Sequence, residues 1–385
     1  MDSIYKNKID LIFVIFLIVY SCLVLVRAND PIRTNGDYFG DEFAYQSAIH
    51  FAQDGFANNK YLMNRNYGSE SRNFYFNHAG FYTYAYGLAY RWGFTSLGAM
   101  RVIAYSYFLI LIMGLYFLVK TLTREPVLAL LSVAISCFNP IVFAFADILE
   151  GTAYITPLVF WNILLYHVLT VTSLKETKKF IGYLLFIVTI FIDARFSHQS
   201  IIYTIGLICI YNVCYFKKEL FKKRIIVAGI ALLAMFLSTA LYQYQSYLVN
   251  GINLRTLANY VLRTFIDEQQ NISGKVNIFK VLYYCLVVPP FLLMIIIACM
   301  GGILSIRNIK CYAKDIKVAL LVGCGLAPFV IMLFAKWLQH IQYYLPIFIF
   351  ASSIVFSIIL IAVFKSALIR KRIHSWIAFI LLLFV

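Results

Sequence analysis

The sequence predicts an all-α polytopic membrane protein that crosses the bilayer about ten or eleven times. Of its 385 residues, 62% are hydrophobic and 13% are charged, whereas soluble domains are about half apolar and about a quarter charged. Apolar runs, most of them long enough to span a bilayer, alternate with short polar connections. Much of the net charge of +16 lies in those connections, which indicates membrane topology and not nucleic-acid binding.

Residues 1–385 are predicted to form one transmembrane domain with two long polar loops, at 27–96 and 249–280. The first apolar run is expected to remain as a helix, because no clean signal-peptide cleavage site follows it. The last apolar run is short for a complete span. The predicted spans are 9–26, 97–119, 126–146, 152–173, 180–194, 199–216, 225–248, 281–305, 318–335, 343–364 and 375–385.

The distribution of lysine and arginine predicts the orientation of the bundle. Basic clusters occupy short connections such as 217–224 and 307–317, and short basic connections generally stay in the cytoplasm. The N-terminus is then cytoplasmic, and both long loops lie on the extracytoplasmic face. For the basic clusters, a topological signal and contact with anionic lipid are a sufficient explanation. The short loops and the lack of eukaryotic retention signals favour a bacterial inner membrane.

The first long loop begins with a segment, 36–55, whose spacing predicts a helix. Ala44 and Ala48 fall on one apolar stripe, and Asp41 shares that face while Glu42 points elsewhere. A carboxylate held against protein beside a membrane is costly unless it has a partner or a task. The simpler explanation is that Asp41 stabilises the helix N-terminus, where acidic residues are favoured.

A second helix is predicted later in the same loop, within the aromatic segment 76–93. Tyr82, Tyr86, Ala89 and Tyr90 fall on one stripe of that helix. Tyrosine and tryptophan are enriched where a membrane meets water, so the segment is predicted to lie in the interface. The loop therefore contributes two interfacial helices directly after the first span.

Further charged groups are expected at the extracytoplasmic ends of the spans. Asp147 and Glu150 follow the third predicted span, Arg195 follows the short fifth span, and Lys336 precedes the tenth. The loop at 249–280 adds more charges to this face. Charged groups at such depths are expensive, so several are expected to face a shared water-filled cavity. The alternative for each one is that it extends to the lipid headgroups.

Four short motifs, in this order and topology, resemble those of one superfamily. An acidic pair opens D-E-F-A-Y at 41–45, and N-H-A-G-F-Y at 77–82 precedes the aromatic helix, without the two prolines usual there. A-M-R stands at 99–101, and Q-Y-Y-L-P at 342–346 has Gln342 where a basic residue is usual. The chain resembles the GT-C superfamily of polyprenyl-phosphate-sugar-dependent glycosyltransferases, in the branch of protein O-mannosyltransferases and lipid A aminoarabinose transferases.

The resemblance implies transfer of a sugar from a polyprenyl-phosphate donor to a hydroxyl acceptor, with inversion, at the extracytoplasmic face. Asp41 would then be the catalytic base and Glu42 its support or an acceptor contact. No cofactor is required, although Asp147 and Glu150 could help to hold a divalent metal, which some relatives bind. An Asp193–Arg195 ion pair competes with a substrate role for that arginine. The candidate substrate-binding residues are Arg72, His78, Asp147, Glu150, Arg195 and Lys336.

Two other functions stay open at this point. A polysaccharide polymerase would use a lipid-diphosphate donor and would depend on arginines in paired later loops more than on an early acidic pair. A flippase or transporter would show internal repeats or helices broken at matching positions in two halves. Pro289-Pro290 and Gly301-Gly302 interrupt one span without a counterpart. The sequence does not identify the sugar or the acceptor.

Overall fold

The fold was analysed in a computed structural model, which describes most of the first 250 residues and parts of the C-terminal region. The described ranges contain helices and no β-strand, which confirms the predicted all-α fold class. The predicted spans 281–305 and 375–385 lie outside them, as does the second long loop from 251 onwards. The described residues are 2–31, 39–64, 80–149, 156–173, 175–196, 198–250, 313–325, 349–350, 353–358 and 360–361.

The described residues form a succession of α-helices. A three-residue 3-10 turn at Lys218–Leu220 precedes the longest of them. In chain order they are α1 (Asp2–Leu25), α2 (Phe39–Gln53), α3 (Tyr82–Arg91), α4 (Leu97–Thr123), α5 (Pro126–Phe138), α6 (Pro140–Phe145), α7 (Val159–Val171), α8 (Glu176–Phe196), α9 (His198–Cys214), α10 (Phe221–Asn250) and α11 (Ala313–Gly325).

Three of the described helical segments are long and apolar enough to cross a membrane. They are Lys8–Leu25, Leu97–Thr123 and Lys218–Val249. Large apolar side chains point outward along the first and third segments, for example Ile18 on α1 and Phe236 on α10, which are 59% and 67% exposed. A lipid phase removes the cost of such exposure, so the outward apolar faces agree with a membrane protein.

The prediction of one continuous span at 126–146 is wrong, because two helices occupy this range. α5 ends at Phe138, and Asn139 adopts an extended backbone conformation with ψ 128°. Pro140 causes the break, since proline has no backbone N–H and disfavours the helical conformation of the residue before it. The chain then forms the short α6 and leads to Asp147, which therefore lies beyond the end of a broken helix.

The two predicted helices of the first long loop are present as α2 and α3, and they pack against each other. Ala44 and Ala48 of α2 are buried, as are Tyr82 and Tyr86 of α3. The stripe predicted for α3 thus packs on protein. Gly55, with φ +84°, follows the end of α2 in a conformation that suits glycine.

The helices of the bundle have two distinct ends. Phe13 stacks on Tyr116 with 3.8 Å between ring centroids, so α1 and α4 lie side by side and antiparallel. We call the end where α1 finishes, α4 begins and α2 and α3 lie the loop end. The opposite end, where Lys120 Nζ lies 2.6 Å from Asp10 Oδ1, is the basic end. α8 and α10 begin at the basic end and finish at the loop end.

Arg101 ties the first two long helices together at the loop end. Its Nη1 donates to the carbonyl oxygens of Arg27, Ala28 and Asp30, at 3.0, 3.2 and 2.7 Å. These carbonyls lie in the turn that follows α1, where the Asp30 N–H also donates to the Arg27 carbonyl at 3.0 Å. Arg101 therefore has a structural role.

Replacing Arg101 by alanine should lower the free energy of unfolding by roughly 2–4 kcal/mol, since buried carbonyls lose a charged donor. Arg91→Ala removes an exposed arginine at the same end and is the matched control. Thermal unfolding of the purified proteins in detergent measures the difference. Equal melting temperatures for the two variants would contradict the anchoring role of Arg101.

Candidate functional site

Asp41 lies in the first turn of α2 and is 1% exposed. It precedes Ala44 and Ala48 on the buried face of the helix, so the prediction that Asp41 faces protein is confirmed. That face contacts what we call the loop-end cluster, an apolar group from α2, α3, the end of α8 and the segment after α6. Its main members are Ala44, Ala48, Tyr82, Tyr86, Leu149 and Phe196.

Glu42 occupies the adjacent position on α2 and is only half-buried. Successive residues on a helix point in directions about 100° apart, so the two carboxylates face different surroundings. Asp41 is therefore the member of the acidic pair that the protein encloses. Glu42 remains accessible from outside the cluster.

Asp147 forms an ion pair at the loop end. Arg27 Nη2 lies 2.6 Å from Asp147 Oδ1 and also donates to the Phe143 carbonyl, with the guanidinium 4.6 Å from the Phe143 ring centroid. The sequence did not predict this partner, although Arg27 directly follows the first apolar run. The pair gives Asp147 a structural explanation for its burial, and the predicted sugar or metal contact stays a prediction.

Arg195, in the last turn of α8, is 2% exposed. Its Nη2 lies 2.5 Å from Gln245 Oε1 and 3.4 Å from the Tyr84 hydroxyl, and its Cζ lies 5.6 Å from the Tyr242 ring centroid. Nη1 is buried and has no hydrogen-bond partner among the described residues. Within the part of the chain that the structure describes, no carboxylate pairs with this guanidinium. The buried positive charge is thus not neutralised by those residues.

Asp193 does not serve as the counter-ion of Arg195, although only one residue separates them. Its carboxylate accepts hydrogen bonds from the Leu158 backbone N–H at 3.2 Å and from Asn162 Nδ2 at 3.1 Å. Residues two apart on a helix do not face each other, so the two side chains point to different neighbours. The structure therefore does not contain the Asp193–Arg195 pair that competes with a substrate role for Arg195.

The neighbouring tyrosine does not neutralise Arg195 either. Burial raises the pKa of Tyr84 to about 12, against the opposing effect of the Arg195 charge. The Tyr84 hydroxyl also donates to the Tyr61 carbonyl at 2.5 Å. Tyr84 is consequently neutral near pH 7 and acts as a hydrogen-bond partner without negative charge.

The sequence patterns did not identify two residues that lie beside Arg195. Tyr242 and Gln245 lie three apart near the end of α10 and so share a face. One feature of the sequence could have indicated them: a polar residue near the end of an apolar helix. Polar residues at such positions in membrane proteins often belong to functional sites. No local spacing indicated that this helix meets α8 at Arg195.

The remaining predicted site residues lie outside the described ranges. They are Arg72, His78, Glu150 and Lys336.

In the described ranges, no group of three histidine, cysteine, aspartate or glutamate side chains is placed to hold a metal ion.

At the loop end, the structure buries a carboxylate on α2 and, on α8, a guanidinium that pairs with no carboxylate of the described residues. Both helices contribute apolar side chains to the loop-end cluster. No protein-family model matches this sequence, and no curated protein matches it. A proposal for the function of this protein must therefore be based on the chemistry of these two groups. A carboxylate can accept a proton, and a guanidinium can bind phosphate with two parallel hydrogen bonds.

Proposed function

We propose that this protein is an integral membrane glycosyltransferase that moves a sugar from a polyprenyl-phosphate donor to a hydroxyl acceptor, with inversion. The observation that carries the proposal is the Arg195 guanidinium, which is buried without a counter-ion in the described chain at the end where Asp41 is also buried. The resemblance of the sequence to the GT-C superfamily supports the same function. The acceptor is a lipid, a glycan or a protein hydroxyl.

Arg195 is proposed to bind the donor phosphate. A buried cation without a counter-ion is expensive, and a bound phosphate offsets that cost. As the bond to the sugar breaks, negative charge grows on the leaving phosphate, and a fixed guanidinium stabilises it. Since Nη1 is buried, the phosphate reaches it only after a neighbouring side chain moves.

Asp41 is proposed as the base that takes the proton of the acceptor hydroxyl. In a single displacement with inversion, the acceptor and the leaving phosphate lie on opposite sides of the anomeric carbon. Asp41 and Arg195 come from different helices, α2 and α8, which suits groups that must lie on two sides of a sugar ring. Glu42, half-buried beside Asp41, is proposed to contact the acceptor.

The donor's polyprenyl tail is proposed to lie along the outward faces of α8 and α10, whose ends carry Arg195 and Gln245. These faces are apolar and exposed, as shown by Leu184 on α8 and Leu241 on α10, at 50% and 41%. A polymerase or a flippase would also meet lipid-linked phosphate. The assay that separates them is sugar transfer in membranes supplied with labelled polyprenyl-monophosphate or polyprenyl-diphosphate sugars.

The loop end is proposed to face the extracytoplasmic side of a bacterial inner membrane, with about ten or eleven spans and a cytoplasmic N-terminus. α2 and α3 would lie at the membrane surface. Trp92 and Phe94, 73% and 59% exposed after α3, suit contact with the headgroup region.

Cysteine labelling tests this orientation. In protein whose native cysteines have been replaced, Ala57→Cys, exposed at the loop end, should react with a membrane-impermeant maleimide in intact cells. Ser173→Cys, exposed at the basic end, should react only after permeabilisation. Labelling of Ser173→Cys in intact cells with protection of Ala57→Cys would show the opposite orientation.

Asp41→Asn should reduce the transfer rate by roughly 10²–10⁴-fold, because the amide cannot accept the acceptor's proton. Asparagine has the same size and can still support the helix N-terminus, so folding should change little. Glu42→Gln should have a smaller effect. The measurement is sugar transfer by purified protein with a labelled polyprenyl-phosphate donor.

The matched control is Asp54→Asn, the same substitution at an exposed position just after α2. It should transfer at the wild-type rate. Near-normal transfer by Asp41→Asn would exclude it as the base, and a larger loss in Glu42→Gln would assign the role to Glu42. Loss of folded protein in Asp41→Asn would favour the purely structural explanation of its burial.

A further inference from the structure

A second buried arginine lies at the basic end. Arg224 is in the first turn of α10 and is 3% exposed. Its Nε and Nη1 are buried and have no hydrogen-bond partner in the described ranges, and its Cζ lies 5.3 Å from the Tyr211 ring centroid. Among the residues that the structure describes, none supplies a carboxylate to it. Like Arg195, it carries a positive charge that those residues leave without a counter-ion.

This arginine is far from the proposed donor site. Arg224 and Gln245 belong to the same helix, and their separation along its axis is about 30 Å at 1.5 Å per residue. That length matches the hydrocarbon thickness of a bilayer, which is about 30 Å. Arg224 therefore lies at one end of α10, and Arg195, which belongs to α8, lies beside Gln245 near the other end. One ligand headgroup cannot contact both arginines.

The surroundings of Arg224 are held in place by their own hydrogen bonds. Tyr166 donates to the Arg224 carbonyl oxygen at 3.3 Å, and Tyr211 Oη lies 2.6 Å from His167 Nδ1. Tyr215 stacks on Tyr211 with centroids 5.0 Å apart, and its buried hydroxyl has no hydrogen-bond partner. Three polar atoms of this group thus have unused hydrogen-bonding capacity: Arg224 Nε, Arg224 Nη1 and Tyr215 Oη.

The charge around this group favours an anion. Lys223 is exposed beside Arg224, with its Nζ 3.3 Å from the Thr172 carbonyl oxygen, and Lys317 Nζ lies 5.9 Å from the Tyr215 ring centroid. Asp315, in the same first turn as Lys317, supplies one opposing charge. Three basic side chains against one acidic side chain leave a net positive charge.

The surface beside this group is apolar. Val213 and Phe216, at the end of α9, are 74% and 62% exposed, and Phe221 and Ile225, at the start of α10, are 52% and 55% exposed. A soluble anion gains no binding free energy from such a surface, whereas the acyl chains of a lipid remove it from water. The ligand that suits both features carries a phosphate and hydrocarbon chains.

We propose that Arg224, with Tyr215, forms a specific binding site for the phosphate of an anionic lipid headgroup at the basic end. A guanidinium donates charge-assisted hydrogen bonds to phosphate, and here Nε and Nη1, which lie on different edges of the group, have no partner among the described residues. Lys223 and Lys317 attract the headgroup to this end. Because Nε and Nη1 are enclosed, the Arg224 side chain or a neighbouring side chain must move before these atoms meet the phosphate.

The test measures ligand-induced stabilisation of the purified full-length protein in detergent. Short-chain phosphatidylglycerol should raise the melting temperature in a saturable way, which yields an apparent affinity. Diacylglycerol with the same chains, which lacks phosphate, should have little effect. Arg224→Ala should weaken the phosphatidylglycerol affinity roughly 10- to 100-fold. Lys178→Ala, which removes an exposed charge at the same end, should leave the affinity unchanged.

Arg224→Lys covers the case in which the alanine variant does not fold. It keeps the charge but loses the forked geometry, so an intermediate affinity is expected. Equal affinities for Arg224→Ala and wild type, or equal losses in Arg224→Ala and Lys178→Ala, would overturn the site. Equal stabilisation by diacylglycerol would also overturn it. Saturable stabilisation by inorganic phosphate at similar concentrations would retain the phosphate site and overturn its assignment to a lipid.

Discussion

The burial of guanidinium groups in an apolar helical bundle is the constraint on which the rest of the structure depends. A charge in such surroundings is tolerated only when other groups neutralise or solvate it. Arg27 has Asp147 and a backbone carbonyl, and Arg101 has three carbonyl oxygens beyond α1. These two arginines fix how α1, α4 and α6 meet. Arg195 and Arg224 have no carboxylate partner within the described ranges, and what distinguishes them from Arg27 is this missing ion pair, since Arg27 Nε is also buried without a hydrogen-bond partner. The contrast separates arginines that hold the fold from arginines available to a ligand.

The positions of the two available arginines follow from the length and direction of α8 and α10. Both helices begin at the basic end and finish at the loop end, so Arg195, near the end of α8, lies beside the last turns of α10. Arg224, at the start of α10, lies about 30 Å away along the helix axis. At the loop end a buried carboxylate, Asp41, accompanies the arginine, whereas at the basic end the neighbours are tyrosines and an apolar surface. The first setting suits group transfer, and the second suits lipid binding.

Local periodicity predicted the parts of the fold that depend on one helix at a time. It predicted the buried stripe of α2 and hence the burial of Asp41, because three or four residues separate neighbours on a helical face. Periodicity alone does not predict the break at Asn139, because the apolar run continues on both sides of Pro140. The surroundings of Arg195 could not be predicted in this way. Its partners Tyr84 and Gln245 are 111 and 50 residues away along the chain, and only the packing of three helices brings them together.

Binding of a polyprenyl monophosphate to the purified protein tests most directly whether the buried guanidinium at the loop end is the phosphate site. Arg195→Ala should lower the affinity roughly 10- to 150-fold, the usual consequence of losing a hydrogen bond to a charged group. Arg91→Ala, which removes an exposed arginine at the same end, should bind as the wild type does. A folded Arg195→Ala protein with wild-type affinity for the lipid phosphate would contradict the account.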